Sequence, residues 1–534
     1  MRIQTFDTTL RDGTQGEAVN FTVDDKLIIA QKLDELGIDF IEGGWPGSNP
    51  KDKEFFVRVR DLELKHAKIV AFGSTRLARN PVDRDPSVLA LVEAGTPAVS
   101  IFGKSWDLHT ERALKVTEEK NLELIYDTVK FMKDHGKQVI YDAEHFFDGY
   151  NSNADFAMRT LESAVKAGAE VLCLCDTNGG NMPDRVGEVV EKVCKRFDLP
   201  VGIHAHNDAD VAVANTVVAV HHGATHVQGC INGYGERCGN ADLCTVLPNI
   251  ELKLGHETIG KEKLASLTQV SRFVSELANL SPRSDQPYVG QSAFAHKGGI
   301  HVNAVLKDAA TYEHIRPELV GNRQRVLLSD LSGRSNILYK LKEHGLEDRL
   351  TDDSRRELLE RIKHLEFLGY ELEAAEGTFE LLVREALHPG LNLFEIVNFE
   401  VTTKGNRHSN STATVTLKAK DGVHSATATG HGPVNALDLC LRQCLSALFP
   451  GIANVRLTDY KVRVLDSKKG TAAKVRVLVE WSDHRRSWTT VGVSENVIEA
   501  SWFALSDAIR LELMRLIETD DMIEKAVEDY CWGV

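Results

Sequence analysis

The chain has 534 residues, more than one compact core normally uses, so two or three domains are expected. Apolar residues make up 42% of the chain and charged residues 26%, which is ordinary for a soluble globular protein. The formal net charge of -15 argues against nucleic acid or an anionic membrane as the main partner.

The sequence predicts a cytoplasmic protein. No apolar run reaches the ~20 residues needed to span a bilayer, and strand-like residues follow the N-terminus without room for a signal peptide. The nine cysteines are odd in number and scattered, which favours reduced thiols over a disulfide framework. Cys173 and Cys175 could pair on a metal, but two side chains on one face of a buried strand are the simpler interpretation.

The first half of the chain alternates between short apolar, strand-like runs and segments with helical periodicity, such as 24–36, 122–135 and 155–167. Several helical segments end in a glycine, as Gly37 and Gly168 illustrate. Eight strand–helix units predict a (β/α)8 TIM barrel over residues 1–280, because a doubly wound open sheet usually needs fewer. The strand-like runs begin near Ile3, Ile38, Lys68, Ala98, Gln138, Glu170, Val201 and Thr225.

The rest of the chain predicts two further regions. Residues 281–390 combine a Gly-, His- and Arg-rich stretch (291–336) with charged helices, which is typical of accessory linker or lid subdomains. Residues 391–534 are β-rich and predict an α+β domain with an internal repeat, for which a regulatory or dimerising role is favoured over structural cover. The predicted helices are 354–368 and 377–386, and each repeat has three strands and an apolar helix: 394–401, 411–418, 423–430 and 434–448, then 459–465, 474–480, 487–493 and 497–516.

The candidate metal ligands lie where barrel strands are predicted to end, which is where active-site groups project in this fold. His204 and His206 are two residues apart on the seventh strand and can therefore point at one ion. Asp12, after the first strand, would complete the shell, and Asn240 in the glycine-rich loop after the eighth strand could add an oxygen ligand. This mixed set fits Mg²⁺, Mn²⁺ or Zn²⁺.

Other side chains at the same strand ends suit a small anionic substrate. Arg11 would contact a substrate carboxylate or a developing oxyanion, and Thr177 could hydrogen-bond the carboxylate. Phe72 and Phe102, near the ends of the third and fourth strands, could narrow the pocket or simply pack in the core.

The runs 7–13 (DTTLRDG), 204–208 (HAHND) and 235–241 (GERCGNA) resemble those of the isopropylmalate and homocitrate synthase superfamily. Within it, 42–52 (EGGWPGSNPKD) is most similar to the second-strand loop of the bacterial citramalate-forming subgroup. The resemblance extends to 320–322 (VGN) and 332–336 (SGRSN) in the accessory region, and to 430–436 (GHGPVNA) in the C-terminal domain. It therefore covers nearly the whole chain.

This resemblance implies a Claisen-type condensation of acetyl-CoA with pyruvate and hydrolysis of the thioester, giving (R)-citramalate and CoA, in isoleucine biosynthesis. A metal on Asp12, His204, His206 and Asn240 would chelate pyruvate, and Arg11 would stabilise the developing alkoxide.

The resemblance also suggests residues for proton transfer and regulation. Glu144 matches the family's catalytic glutamate, which removes a proton from the acetyl methyl group. His301 and Tyr312 match residues that enter a neighbouring subunit's barrel, which implies an active homodimer. The C-terminal domain resembles the family's feedback domain, which in this subgroup typically binds isoleucine.

Several other functions are compatible with a metal-binding barrel. A sister 2-isopropylmalate or homocitrate synthase would use a larger 2-oxo acid. A 3-hydroxy-3-methylglutaryl-CoA-lyase-like enzyme would account for Cys238 in the glycine loop, but such lyases lack the long accessory and C-terminal regions. Biotin-dependent carboxyltransferases have a lysine where this chain has Cys175. A catalytically silent metabolite sensor is disfavoured by a complete metal set beside Arg11.

Overall fold

The computed structural model describes residues 1–327, 334–343, 350–405, 409–419, 422–446, 449, 452, 455–482 and 486–519. Ser332, Gly333, Ala447 and Leu448, which belong to a motif and a helix predicted above, lie outside these ranges. Two compact units form: Met1–Phe294 with His314–Gln324, and Ala295–Glu313 with the described residues from Arg325 onward. Across the described ranges, no helix combines the length and the apolar character that a membrane crossing requires.

Eight parallel strands close into a barrel in chain order, because β1 pairs with both β2 and β8. The predicted TIM barrel is therefore confirmed, and the open sheet is excluded. Large apolar side chains such as Phe6, Phe40 and Ile140 fill the interior, so the barrel is a packed core rather than a pore. The strands are β1 Gln4–Asp7, β2 Phe40–Gly44, β3 Lys68–Ser74, β4 Ala98–Lys104, β5 Gln138–Glu144, β6 Val171–Asp176, β7 Val201–Ala205 and β8 His226–Gly229.

Helices of the first unit begin and end where local sequence signals require. The helix Val23–Leu36 begins with a capping box between Thr22 and Asp25 and ends at Gly37, which adopts a left-handed conformation (φ 92°). The helix predicted over 122–135 begins earlier, at Glu118, because the Thr117 hydroxyl accepts from Lys120 N. The helices are α1 Val23–Leu36, α2 Pro50–Arg58, α3 Pro86–Glu93, α4 Asp107–His109, α5 Glu118–Asp134, α6 Phe146–Ser152, α7 Ala154–Ala167, α8 Pro183–Arg196, α9 Ala212–His221, α10 Leu243–Pro248, α11 Lys261–Leu264 and α12 Leu267–Leu277.

The second unit starts with the segment 295–313, which leaves the first unit and is followed by a return to it over 314–324. The two-residue strands β9 (Ala295–His296) and β10 (Arg325–Val326) pair in parallel. They lie at the start of the segment 295–313 and directly after the segment 314–324. The predicted charged helices 354–368 and 377–386 are present, each within two residues of the expected bounds. The helices are α13 Gly299–Val305, α14 Arg334–Glu343, α15 Asp352–Leu368 and α16 Glu376–Leu387.

The C-terminal part of the second unit contains the predicted repeat, two three-stranded antiparallel sheets each followed by a helix. Strand residues alternate between the core and solvent: Val415 is buried, whereas Thr414 and Thr416 beside it are not fully covered. The elements are β11 Glu395–Gly405, β12 Ser409–Ala419, β13 Gly422–Gly430 and α17 Pro433–Leu445, then β14 Arg456–Val464, β15 Val475–Ser482, β16 Ser487–Ser494 and α18 Val497–Thr519.

Candidate active site

A cavity of about 210 Å³ opens at the carboxyl ends of the barrel strands. Most of the site residues that the sequence predicted in the barrel lie on its wall: Arg11, Asp12, Glu144, Thr177, His204 and His206, together with Phe72 and Phe102. The other lining residues are Gln15, Trp45, Asp142, Cys175 and Glu236; of these, the sequence reasoning considered only Cys175, which it interpreted as a buried strand residue.

Three predicted metal ligands converge in this cavity. One ligand atom from each of Asp12, His204 and His206 lies within 4.8 Å of the other two, and all three residues are buried. The His204 and His206 Nε2 atoms are 3.4 Å apart, and they lie 3.4 and 3.8 Å from Asp12 Oδ2. Asp12 Oδ1 and His206 Nδ1 are buried without a hydrogen-bond partner among the described residues. Two facing imidazole nitrogens beside an unsatisfied carboxylate oxygen fit a divalent cation.

The charge balance of these three residues also suits a cation. Burial would raise the pKa of Asp12, but Arg11 and the two histidines outweigh it and hold this pKa well below its ordinary value. Burial, together with His204, lowers the pKa of His206 to about 3, so this imidazole is neutral at pH 7. At His204, burial lowers the pKa, yet the contact with Asp12 raises it by more. Electrostatics that favour a proton on Nε2 favour a metal cation there as well.

Asn240 lies beside His206, with which it forms an isolated antiparallel bridge. Its Nδ2 donates to the carbonyl of Tyr234 (3.2 Å), whereas its Oδ1 is buried without a hydrogen-bond partner among the described residues. The loop that carries Asn240 requires glycine at Gly235 (φ 154°), where a Cβ atom would lie 2.1 Å from Asn240 Nδ2. Its role as a fourth, oxygen ligand stays a prediction.

Arg11 is held against the cavity wall by two carboxylates and one ring. Its Nε donates to Glu42 Oε2 (2.6 Å), its Nη1 donates to Asp12 Oδ2 (3.0 Å), and its Cζ lies 3.9 Å from the centre of the Phe72 ring. Burial raises the pKa of Glu42 to about 7 despite the contact with Arg11. The sequence reasoning quoted Glu42 within a motif but gave it no role. Among the described residues, these contacts hold the guanidinium through Nε and Nη1, so Nη2 can donate to a substrate oxygen.

Glu144 is the last residue of β5, and Thr177 directly follows β6, the strand that pairs with β5. The Thr177 hydroxyl oxygen accepts from His145 N (2.9 Å), so its own hydrogen is left to donate into the cavity. Glu144 forms an ion pair with Lys104, a residue that the sequence reasoning did not single out. The register of β4 and β5 places Lys104 directly opposite Glu144, and the ion pair holds this carboxylate in place.

An aromatic wall, defined as Trp45, Phe72 and Phe102, closes one side of the cavity. Phe72 and Phe102 stack with ring centres 5.1 Å apart, and the Trp45 ring meets both edge-on at 5.7 and 5.6 Å. The loop that carries Trp45 is anchored by Asp52, which accepts from Trp45 N (2.9 Å) and pairs with the buried Lys26. Such a wall gives this side of the cavity a rigid, apolar surface.

Cys173 and Cys175 are both buried in the barrel interior, as two side chains on one face of β6. Cys175 also lines the cavity. The Asp142 carboxylate lies within 4.8 Å of both thiols.

His301 and Tyr312 belong to the second unit, in the segment 295–313. Their rings stack with centres 4.2 Å apart, and both side chains are exposed. The structure thus brings these two predicted residues together. Their predicted role in a neighbouring subunit's barrel stays a prediction.

Three family models match consecutive parts of the chain. Residues 2–274 match HMGL-like, 288–368 match the homocitrate synthase post-HMGL domain-like model, and 373–512 match the LeuA allosteric (dimerisation) domain.

Curated relatives match over nearly the whole length. The (R)-citramalate synthase of Aquifex aeolicus is 51% identical, covering 96% of this chain and 98% of the relative. The (R)-citramalate synthase of Geobacter sulfurreducens is 50% identical, with 97% and 99% covered. A 2-isopropylmalate synthase of Methanocaldococcus jannaschii is 32% identical, with 95% and 94% covered.

The closed barrel and the carboxylate–imidazole cluster at its carboxyl end define an enzyme of the divalent-metal-dependent HMGL-like class. Within this class the chain belongs to the (R)-citramalate synthase family, five of whose members are 44% to 51% identical to it. It is an enzyme of the acyltransferase type, a condensing synthase.

Proposed function

We propose that this enzyme condenses acetyl-CoA with pyruvate and hydrolyses the thioester, releasing (R)-citramalate and CoA. The observation that carries the proposal is the meeting of Asp12, His204 and His206 beside Arg11 in one cavity. Relatives named as (R)-citramalate synthases support the same product. The aromatic side of the cavity suits the methyl group of pyruvate, the smallest 2-oxo acid considered, and supports the choice of substrate.

The proposed cation is Mg²⁺ or Mn²⁺, with Zn²⁺ as the alternative, and Asp12, His204, His206 and Asn240 would hold it. When bound, it would supply Lewis-acid polarisation of the 2-oxo acid. Arg11 Nη2 donates to the oxygen that gains negative charge as the new carbon–carbon bond forms. Thr177 donates its hydroxyl hydrogen to the substrate carboxylate.

The acetyl methyl group must lose one proton before its carbon can attack the keto carbon. Glu144 Oε accepts this proton, and the ion pair with Lys104 holds the carboxylate in place. Water then cleaves the thioester, so that the carboxylate of the product and the thiol of CoA are released. His301 and Tyr312 of a neighbouring subunit assist proton transfer or hydrolysis in this scheme, which makes the active form a homodimer.

Thiol release from acetyl-CoA tests this reaction directly. Purified protein with Mg²⁺ or Mn²⁺ is assayed with pyruvate, 2-oxobutyrate, 2-oxoisovalerate and 2-oxoglutarate. Release that is strongest with pyruvate and abolished by a chelator is expected. Release strongest with a branched or dicarboxylic acid would transfer the protein to a sister synthase, and no release with any acid would contradict the condensing reaction.

Enlarging the cavity at the aromatic wall should relax the selectivity for pyruvate. Phe102→Ala removes one ring without touching Arg11, which packs on Phe72 instead. One methylene in an apolar pocket is worth about 1–3 kcal/mol, so the ratio of kcat/KM for 2-oxobutyrate over pyruvate should rise by about 10-fold or more. Phe131→Leu, on α5 away from the cavity, is the matched control. An unchanged ratio in a folded Phe102→Ala enzyme would show that another surface sets selectivity.

Feedback by an amino acid, with isoleucine as the proposed effector, is supported by the LeuA allosteric (dimerisation) match over 373–512. A cavity of about 340 Å³ in this region combines apolar with polar lining, as an amphipathic amino acid requires: Val434, Asn435, Asp438, Leu457, Tyr460 and Leu505. Isoleucine titration of the intact enzyme should lower its activity. No inhibition and no binding by calorimetry would contradict the effector.

The cytoplasm is the proposed location. The eight described cysteines are free thiols, most of them buried, which fits a reducing compartment.

A further inference from the structure

Gln228 on β8 contacts three polar side chains inside the barrel, and no role assigned above uses it. Its Oε1 lies 3.0 Å from His204 Nδ1, and its Nε2 lies 3.0 Å from Asp142 Oδ1 and 3.5 Å from His226 Nε2. The residue is 1% exposed, so both ends of the amide are paired where water cannot replace a partner. An unpaired polar group in such a place is strongly destabilising, which makes these contacts specific.

Asp142 determines which way this amide points. Gln228 Nε2 donates to Asp142 Oδ1, and an ionised carboxylate only accepts hydrogen bonds, so the donor end of the amide faces Asp142. The Ser100 hydroxyl donates to the other carboxylate oxygen and holds the group from the opposite side. The reversed amide would set two acceptor oxygens 3.0 Å apart in the barrel interior. The amide oxygen of Gln228 therefore faces His204.

This orientation selects one tautomer of His204. An amide oxygen only accepts, so His204 Nδ1 carries the hydrogen of the neutral ring, and Nε2 presents its lone pair. That lone pair points toward Asp12 Oδ2 and His206 Nε2, each 3.4 Å away. We propose that Gln228, itself held by Asp142 and Ser100, is a positioning residue that fixes the tautomer and ring orientation of His204 for metal binding.

The inference rests on the metal site of the proposed function, so metal binding by wild type is measured first. Calorimetric titration of the metal-free full chain with Mn²⁺ should give saturable binding that His204→Ala abolishes. If wild type does not bind Mn²⁺, or if His204→Ala binds it as tightly, the proposed metal site itself is wrong. That failure is visible before any Gln228 variant is made.

Gln228→Met removes the hydrogen-bonding groups while keeping the length and shape of the side chain. His204 Nδ1 then loses its acceptor, and the ring is free to turn or change tautomer. Loss of such an outer hydrogen bond typically costs about 10–100-fold in metal affinity, and the Kd for Mn²⁺ should rise by that amount. Ile140→Val, in the same barrel interior, is the control for loosened packing and should keep a Kd close to that of wild type.

Exchanging the amide of Gln228 with the carboxylate of Asp142 distinguishes an effect of hydrogen-bond direction from an effect of side-chain packing. Gln228→Glu alone sets two carboxylates against each other and should weaken Mn²⁺ binding. Adding Asp142→Asn restores a donor opposite an acceptor. The amide now at position 142 donates to the carboxylate now at position 228 and accepts from Ser100. The carboxylate at position 228 still accepts from His204 Nδ1. The double variant should recover most of the affinity lost by Gln228→Glu.

Recovery is specific to the proposed role, because side-chain volume hardly changes among these variants. The inference is overturned if Gln228→Met and Gln228→Glu bind Mn²⁺ as tightly as wild type. It is equally overturned if the double variant, shown to be folded by its melting curve, binds no better than Gln228→Glu.

Discussion

Replacing Asp12 with alanine is expected to abolish metal binding and to lower kcat/KM for citramalate formation by about 10³-fold or more. Among the described residues that form the predicted metal site, Asp12, His204 and His206, Asp12 is the only anion. Its Oδ2 faces the Nε2 atoms of both histidines. Lewis-acid stabilisation supplies several kcal/mol to the transition state, and each 1.36 kcal/mol lost corresponds to a tenfold loss in rate, which gives this magnitude of about 10³. Thiol release and Mn²⁺ calorimetry measure the two effects independently.

The variant should still fold, because Arg11 keeps its contact with the Glu42 carboxylate after Asp12 is removed. A melting curve of the metal-free protein checks this. Asp83→Ala, which removes an exposed aspartate from the same unit, is the control and should retain both metal binding and activity. If Asp12→Ala is folded and still binds Mn²⁺ like wild type, Asp12 is not a ligand and the cation lies elsewhere.

The barrel was predictable because most of its strands contain a short apolar run with turn or helix signals on both sides. A strand such as Val171–Asp176 is buried along its whole length, and this burial leaves a continuous apolar pattern in the sequence. The positions at the ends of such runs were predictable for the same reason. Asp12, His204 and Thr177 follow directly from where the strands stop.

Contacts between distant positions left no local signal. Gln228 and Asp142 are 86 residues apart, and neither His226–Gly229 nor Gln138–Glu144 shows in its own sequence that these two side chains meet. Their pairing depends on the barrel's closure and register, which no short window of sequence contains. Trp45 was quoted in a motif, yet its place opposite Phe72 and Phe102 results from the loop that Lys26 and Asp52 anchor.

The assignment of the segments 295–313 and 314–324 to different units could not be predicted from the sequence either. Predicted boundaries near 280 and 390 treat the regions as consecutive, whereas residues 295–313 belong to the second unit and residues 314–324 to the first. The two-residue strands at Ala295–His296 and Arg325–Val326 are too short to give a periodic pattern. His301 and Tyr312 are carried by this excursion, so only the resemblance to a family singled them out.

Glu144→Gln is expected to lower kcat by about 10²- to 10⁴-fold, the usual contribution of a positioned general base. Glutamine keeps the size of the side chain but cannot take up the methyl proton. The Mn²⁺ Kd and the KM for pyruvate should change little, because Glu144 makes no contact with Asp12, His204 or His206 among the described residues. The reaction is followed by thiol release, with acetyl-CoA and its trideuteromethyl form compared.

Proton removal should become the slowest step in this variant, so the isotope effect on kcat should increase relative to wild type. Asp148→Asn is the matched control: it lies four residues further along the chain, bonds to Asn178 and is absent from the cavity wall. A Glu144→Gln enzyme with wild-type kcat would exclude Glu144 as the base. A slow variant whose metal affinity and pyruvate KM also deteriorate would instead show that the Lys104–Glu144 pair supports the architecture of the site.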